Sequence, residues 1–284
     1  MHFGASMFFT DYSMTSAALA KALEDRGFES VWAPEHSHIP ASRKSPWPGG
    51  GDLPKMYYDV MDPFVTLTAA AAATTTLKIG TGVCLVNQRD PIQTAKLVAS
   101  IDRISGGRFL FGIGIGWNEE EMENHGTVFK TRAKLVRERV EAMKAIWTGD
   151  KAEYHGEFVN FEPLMSWPKP VQQPHPPVIV GGAFPHGARR AVRYGEGWIP
   201  LAGRPGPDGD VSNTVPLFRA MLKEAGRDPE SCPVSIFGAG ENADTLKQYR
   251  DLGIARVSVA LPAAAEDVVL PILDRWAALI REVG

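Results

Sequence analysis

The stretch Phe109-Leu110-Phe111-Gly112-Ile113-Gly114-Ile115-Gly116-Trp117 alternates bulky residues with glycines at 112, 114 and 116. In an extended chain successive side chains point to opposite faces, so this pattern makes a β-strand with one apolar face and one bare face. Phe109, Phe111, Ile113 and Ile115 fit packing against helices, and the glycines leave room for close strand packing or for the approach of something flat. A dinucleotide fingerprint is excluded, because its third glycine would fall at position 117, which is Trp.

Outward from this strand, short β-rich runs alternate with helical patterns along the whole chain. The strand candidates are Phe3 to Phe9, Ser30 to Pro34, Leu77 to Leu85, Arg108 to Ile115, Val178 to Val180, Gly197 to Leu201, Val234 to Phe237 and Val257 to Ala260. Between them run helical stripes such as Val136, Val140, Met143 and Trp147, spaced as one buried face. Asn242 and Asp244 are candidate helix caps, and Gly27, Gly149, Gly195 and Gly253 sit where helices should end. Repeated βα units of this number predict an α/β fold, a (β/α)8 TIM barrel, which typically takes about 250 residues. The 284 residues are therefore read as a single domain spanning 1–284.

Two segments interrupt the rhythm. Residues 37–62 are rich in Pro and Gly and carry Trp47, Tyr57 and Tyr58. A loop this long at the C-terminal end of a barrel strand reads as an active-site lid. Its aromatic residues are read either as facing a substrate or as packing the lid itself. Residues 151–177 contain the hairpin-like Tyr154-His155-Gly156-Glu157-Phe158 and are proline-rich, which predicts an insertion wrapped around the barrel.

Composition narrows the function. The formal charge of −3 offers no basic footprint for nucleic acid. Met1-His2-Phe3-Gly4 lacks a signal-peptide pattern and no apolar run approaches 18 residues, so neither secretion nor a membrane is expected. Cys84 and Cys232 are the only cysteines, too few for a disulfide framework or a zinc knuckle. A cytoplasmic protein acting on a small-molecule substrate is the resulting expectation.

Several segments carry candidate chemistry. Val178-Ile179-Val180-Gly181-Gly182-Ala183-Phe184-Pro185-His186 runs from strand to helix through small residues. Such a turn can present N–H groups and a helix N-terminus to an anion, or be an ordinary βα turn. Gly80-Thr81-Gly82-Val83-Cys84 permits unusual backbone geometry within the third strand. After the second strand come Glu35, His36 and His38. These read as an acid/base pair, as a structural hydrogen-bonded pair, or, through His36 and His38, as the start of a metal site that needs further ligands. Asn87-Gln88-Arg89-Asp90-Pro91 reads as a cap and turn opening a helix, with Arg89 either structural or reaching an anion.

Taken in order, a set of segments resembles the bacterial luciferase-like monooxygenase superfamily over nearly the whole chain, and especially its actinobacterial deazaflavin-dependent branch. The residues are Leu77-Lys78-Ile79-Gly80-Thr81-Gly82-Val83, Asp90-Pro91 with Ala95-Lys96, Asp102-Arg103-Ile104-Ser105-Gly106-Gly107-Arg108, and Gly112 to Trp117. Tyr154 to Phe158, Pro168-Lys169-Pro170-Val171-Gln172, Pro176-Pro177 with Gly181-Gly182, and Gly195-Glu196-Gly197-Trp198 complete it.

The resemblance implies coenzyme F420, a deazaflavin, or alternatively FMN. It implies a non-prolyl cis peptide at Gly82-Val83 behind the cofactor ring, with Gly114, Gly116 and Trp117 along the same wall. The cofactor phosphate falls at Gly181, Gly182 and Ala183, beside Pro200, Leu201 and Ala202, while Glu35 and His36 flank the ring and are the catalytic candidates. With F420 the implied reaction is hydride transfer to or from a small organic substrate. With FMN it is a two-component monooxygenase of the alkanesulfonate monooxygenase/luciferase type. A non-catalytic flavin-binding relative and a metal-dependent barrel hydrolase are the other readings. A homodimer, and a flavin or F420 reductase as partner, are further implications. The sequence departs from relatives that place an acidic residue directly after the fourth-strand glycines: here stand Trp117 and Asn118. Their acid role and substrate do not carry over to those positions.

Overall fold

The glycine-alternating strand sits at the centre of a curved parallel sheet in the computed structural model, which describes residues 1–203 and 206–283. The strands are β1 (His2–Ser6), β2 (Ser30–Ala33), β3 (Lys78–Thr81), β4 (Cys84–Leu85), β5 (Phe109–Gly114), β6 (Ala152–His155), β7 (Asn160–Leu164), β8 (Val178–Gly181), β9 (Gly197–Ile199), β10 (Ser235–Phe237) and β11 (Arg256–Ala260). The helices are α1 (Ser16–Asp25), α2 (Met56–Asp59), α3 (Pro63–Ala73), α4 (Pro91–Ile104), α5 (Glu119–Asn124), α6 (Arg132–Thr148), α7 (His186–Tyr194), α8 (Val211–Glu224), α9 (Ala243–Asp251) and α10 (Glu266–Val283). The sheet order is β10-β11-β1-β2-β3-β5-β8-β9, and a parallel bridge between Trp198 and Val234 brings its two edges together. The result is a nearly closed eight-stranded barrel ringed by helices.

Alternation along β5 divides the core in two. Phe109, Phe111 and Ile113 point outward into the layer between strands and helices, where Phe109 meets Phe64 of α3 and Phe111 meets Trp147 of α6. Leu110 points inward and joins Trp32, Ile179 and Ile199 in the barrel interior. Trp32 can lie across that interior only because Gly80 has no side chain: a Cβ there would fall 2.5 Å from the indole. Gly112 likewise serves strand packing, since a Cβ on it would meet the Thr81 carbonyl at 2.0 Å. The face left bare at 112 is therefore filled by β3, and at 114 and 116 by the side chains of Val83 and Met122.

The run read as one third strand, Leu77 to Leu85, is in fact two. The Gly82–Val83 peptide is cis, so β3 ends at Thr81 and β4 resumes at Cys84 against Ile113 of β5. Side-chain caps open most barrel helices: Thr15, Asp62, Asp90, Asn118, Asp210 and Asn242 each accept an N–H from the first turn. Asp62 and Asp90 are followed by proline at the first helical position.

The 151–177 insertion forms the hairpin β6–β7 and then wraps the outside of the barrel. Its turn is fastened to α6 by the buried Glu138 carboxylate, which accepts N–H bonds from Glu157, Phe158 and Val159. Downstream, the fully buried Asp102 of α4 accepts from Val171 N, Gln172 N and Gln172 Nε2 at 2.7–3.0 Å. Asp102→Ala strands three donors at once. It is expected to cost about 2–4 kcal/mol and to lower Tm by several degrees in calorimetry, with the cavity at the strand ends unaffected. Among the described residues no helix is long and apolar enough to cross a membrane.

Candidate functional site

The strand C-termini open into one cavity of about 750 Å³. This is the face on which barrel enzymes build their sites. Glu35 and His36 line it from the end of β2, Gly82 and Val83 from the cis bulge, and Gly114, Gly116 and Trp117 from the end of β5. Gly181, Gly182 and Ala183 line it from the end of β8, and Pro200, Leu201 and Ala202 from the end of β9. The residues that the resemblance implies around a cofactor thus all border a single space. Val83 forms part of its floor, with its two methyls set against Gly114 and Gly181, where a Cβ would fall 2.5 Å and 3.1 Å from them.

The end of the cavity at Gly182 is cationic. Gly182 has φ of +146°, its N–H donates to Ile199 O at 3.0 Å and its carbonyl accepts from the Trp198 indole at 3.0 Å. The Gly182 N–H is therefore already used within the protein. Positive charge comes instead from two arginines that the sequence reading did not single out, Arg190 of α7 and Arg132 at the start of α6. A Cβ on Gly182 would lie 2.4 Å from Arg190 Nη2.

The Nε atoms of both arginines are buried without a hydrogen-bond partner. Burial lowers both pKa values, and the nearness of Arg190 lowers that of Arg132 further. A guanidinium stays charged nonetheless. Two partly buried like charges, each with an unspent Nε–H, fit an anionic group, a phosphate above all. Past them the cavity opens to solvent beside Leu201, which is 43% exposed. Gly182→Asp would put a carboxylate against the Arg190 guanidinium in a backbone region L side chains rarely adopt. Its expected effect is a loss of phosphate-tailed ligand affinity of at least about 10-fold, read by calorimetric titration.

The opposite end is organised around His36. Its Nδ1 lies 2.8 Å from Glu121 Oε2, and the other Glu121 oxygen accepts Ser37 N–H at 3.1 Å. Glu121 belongs to α5 and is completely buried, and its own N–H donates to the Asn118 cap. With Glu121 accepting from Nδ1–H, the neutral imidazole keeps a lone pair at Nε2. An acid does serve this site after the fourth-strand glycines, but it enters four residues past Trp117.

Glu35 faces elsewhere. Its carboxylate accepts Leu85 N–H at 2.6 Å and pairs with Arg89, which also binds Asp62 at 2.5 Å. Neighbouring residues of an extended segment diverge. Glu35 therefore fastens β4 and the cis bulge, while His36 turns to α5. His38 bonds Ser37 Oγ and Asn124, and among the described residues no three His, Cys, Asp or Glu side chains converge as for a metal.

Aromatic side chains cover this end. Tyr57 packs on Phe8 (ring centroids 4.6 Å apart), His36 (5.4 Å) and Trp47 (5.8 Å), and Trp117 stands edge-on to His36 at 5.7 Å. Trp47 and Tyr57 come from the 37–62 segment, which is pinned over the mouth by Ser45. The Ser45 hydroxyl donates to Glu120 at 2.5 Å and accepts Glu119 N–H at 3.0 Å. Tyr58, the third aromatic of that segment, is half exposed and does not line the cavity. Phe8, Phe237 and the two arginines are the cavity residues with no local signature in the sequence. Arg189, Arg190 and Arg193 look alike along α7 until the helix is placed.

Fold and site together define a (β/α)8-barrel protein with a cavity at the strand C-termini that carries two arginines and a carboxylate-bound histidine on its lining. The family model for luciferase-like monooxygenases matches residues 14–260, and the chain belongs to that family. An uncharacterized protein of Mycobacterium tuberculosis is 38% identical over 284 residues, spanning 98% of each chain. The F420-dependent hydroxymycolic acid dehydrogenase of Mycobacterium tuberculosis is 28% identical over 215 residues, 75% of this chain and 54% of that protein. Among solved structures, the fold matches that of a monooxygenase from Streptomyces bottropensis with a TM-score of 0.80 at 21% identity, over 99% of both chains. It matches the coenzyme F420-dependent tetrahydromethanopterin reductase of Methanopyrus kandleri with a TM-score of 0.74 at 19% identity, over 100% of this chain and 99% of that one.

Proposed function

We propose that the protein is an F420-dependent oxidoreductase that moves a hydride between the deazaflavin and a small organic substrate. The observation that carries the reading is the polarity of the cavity: an arginine pair with unspent donors at one end, and an imidazole held by a buried carboxylate at the other. Arg132, Arg190 and the Gly182-Ala183 turn would hold the phosphate, and the cavity's opening beside Leu201 leaves a path for a tail that continues beyond it. Val83, Gly114 and Gly116 would border the ring. When bound, the deazaflavin supplies hydride donation or acceptance at its C5.

The remaining work falls to the chain. His36 Nε2 accepts the proton of a substrate hydroxyl or returns one to a carbonyl oxygen, and Glu121 keeps the imidazole turned for that exchange. The 37–62 segment closes the mouth and excludes water. An F420-dependent dehydrogenase among the relatives supports the same reading.

An FMN-dependent monooxygenase supplied by a separate reductase is the second reading, favoured by the fold match to a monooxygenase. Anaerobic assays separate the two. Deazaflavin oxidation or reduction coupled to alcohol or carbonyl turnover without oxygen is the expected result. Turnover only with reduced FMN and oxygen would reverse the order.

A further inference from the structure

The two ends of the cavity differ in more than function, and the difference restricts what can be the substrate. We infer that the second ligand, bound against His36, is an uncharged, flat, largely apolar ring compound that offers one oxygen to His36 Nε2. This inference rests on the cofactor reading above, which assigns the arginine end to the phosphate.

The wall at this end consists of Phe8, Trp47, Tyr57 and Trp117, with His36 among them. Every charged group that borders it among the described residues is already engaged. Glu35 is paired with Arg89, which also holds Asp62. Glu120 is spent on Ser45, and Lys55 on Asp59. Glu121 binds His36 and Ser37. Among the residues that line this end no cation is left to receive a carboxylate or phosphate on the substrate, and Arg43 of the covering segment, whose Nη1 is buried without a partner, does not line the cavity. The completely buried Glu121 carboxylate, one imidazole away, opposes such a group further.

A cationic substrate is disfavoured for a different reason. A cage for an ammonium group needs several open ring faces turned to one point. Here the rings spend their surfaces on each other: Tyr57 is in contact with Phe8, His36 and Trp47 at interplanar angles of 46°, 53° and 69°. What such a wall offers is a slot with apolar sides, in which a planar ring loses water and gains contact area. The bond from His36 Nδ1 to Glu121 fixes the ring, so His36 Nε2 is positioned to read a single hydroxyl or carbonyl oxygen.

Three probes of one shape test this: 2-acetylnaphthalene, its 6-carboxylate and its 6-trimethylammonium analogue. Calorimetric titration of F420-loaded protein is expected to show the neutral ketone binding at least about 30-fold more tightly than either charged analogue. Trp47→Ala, on the covering segment and outside the core, should weaken the ketone about 10-fold and leave F420 affinity unchanged. Tyr57→Lys should narrow the gap between ketone and carboxylate.

Equal or tighter binding of the carboxylate or of the ammonium compound by the native protein would overturn the inference. Indifference of the ketone to Trp47→Ala would overturn it as well. The same titrations on cofactor-free protein in phosphate buffer, which fills the arginine end, keep the two readings apart. Failure to bind F420 with discrimination among the three probes retained removes the cofactor reading, whereas loss of that discrimination with F420 still bound removes this one.

Discussion

Replacing Glu121 by Gln is expected to lower turnover about 100-fold while cofactor affinity stays within about threefold of the native value. The geometry gives the reason. Two donors converge on this carboxylate, Ser37 N–H on Oε1 and His36 Nδ1 on Oε2. A glutamine has one oxygen and one NH2, and the Ser37 amide, a fixed backbone donor, claims the oxygen. The NH2 then faces His36 Nδ1, which must accept, so the ring proton moves to Nε2. A base at Nε2 becomes a donor, the wrong tautomer for taking a hydroxyl proton. His36→Asn should cause a loss at least as large, and the double variant should lose little more than either single one, because both remove the same proton path. Steady-state rates with F420, set beside calorimetric affinities, check this. Equal losses in cofactor affinity would mean that Glu121 merely supports the fold of α5.

Removal of Arg190 and Arg132 has the second large effect, and it falls on binding. A hydrogen bond to a charged group contributes about 1.5–3 kcal/mol, so each arginine replaced by alanine should weaken the cofactor roughly 10- to 100-fold. The two side chains are close enough for each to be felt by the other, so their effects need not add. Removing one relieves repulsion on the one that remains, and the double variant should therefore lose less than the product of the singles. Stability should hold or rise on removal of Arg190, a partly buried charge whose Nε has no partner, whereas removal of Arg132 also gives up its bond to Phe129 O and its place over the Phe129 ring. Weaker binding with unchanged or higher Tm is thus the signature of a ligand site. Weaker binding with a fall in Tm for Arg190→Ala would instead mark that arginine as structural.

Much of this was legible before any coordinates. The βα rhythm predicted the barrel, and the 37–62 and 151–177 interruptions are the two segments that cover the mouth and strap the wall. Gly114 and Gly116 lie on the cavity because alternation sends them to one face, and Gly181 and Gly182 because the chain turns there at the end of β8. What the sequence could not separate were glycines needed by the ligand space from those needed by the protein. Gly80 and Gly112 make room for Trp32 and for the Thr81 carbonyl. Pairing was hidden for the same reason. Glu35 and His36 are adjacent in sequence yet bond residues 50 and 85 positions away, Leu85 and Glu121. Only the strand order β2-β3-β5 brings α5, which follows β5, beside the end of β2. Arg132 and Arg190 are ordinary surface-helix arginines by pattern, and their place on the cavity follows from where α6 and α7 begin around it.

Equilibrium titration of the purified protein with F420 and with FMN, followed by cofactor fluorescence and repeated with the Arg190→Ala variant, tests the central claim most directly. The account predicts saturable F420 binding, weaker FMN binding, and a loss of roughly 10-fold or more for F420 on removal of the Arg190 guanidinium. Failure to bind either cofactor, or F420 affinity indifferent to Arg190, would contradict it.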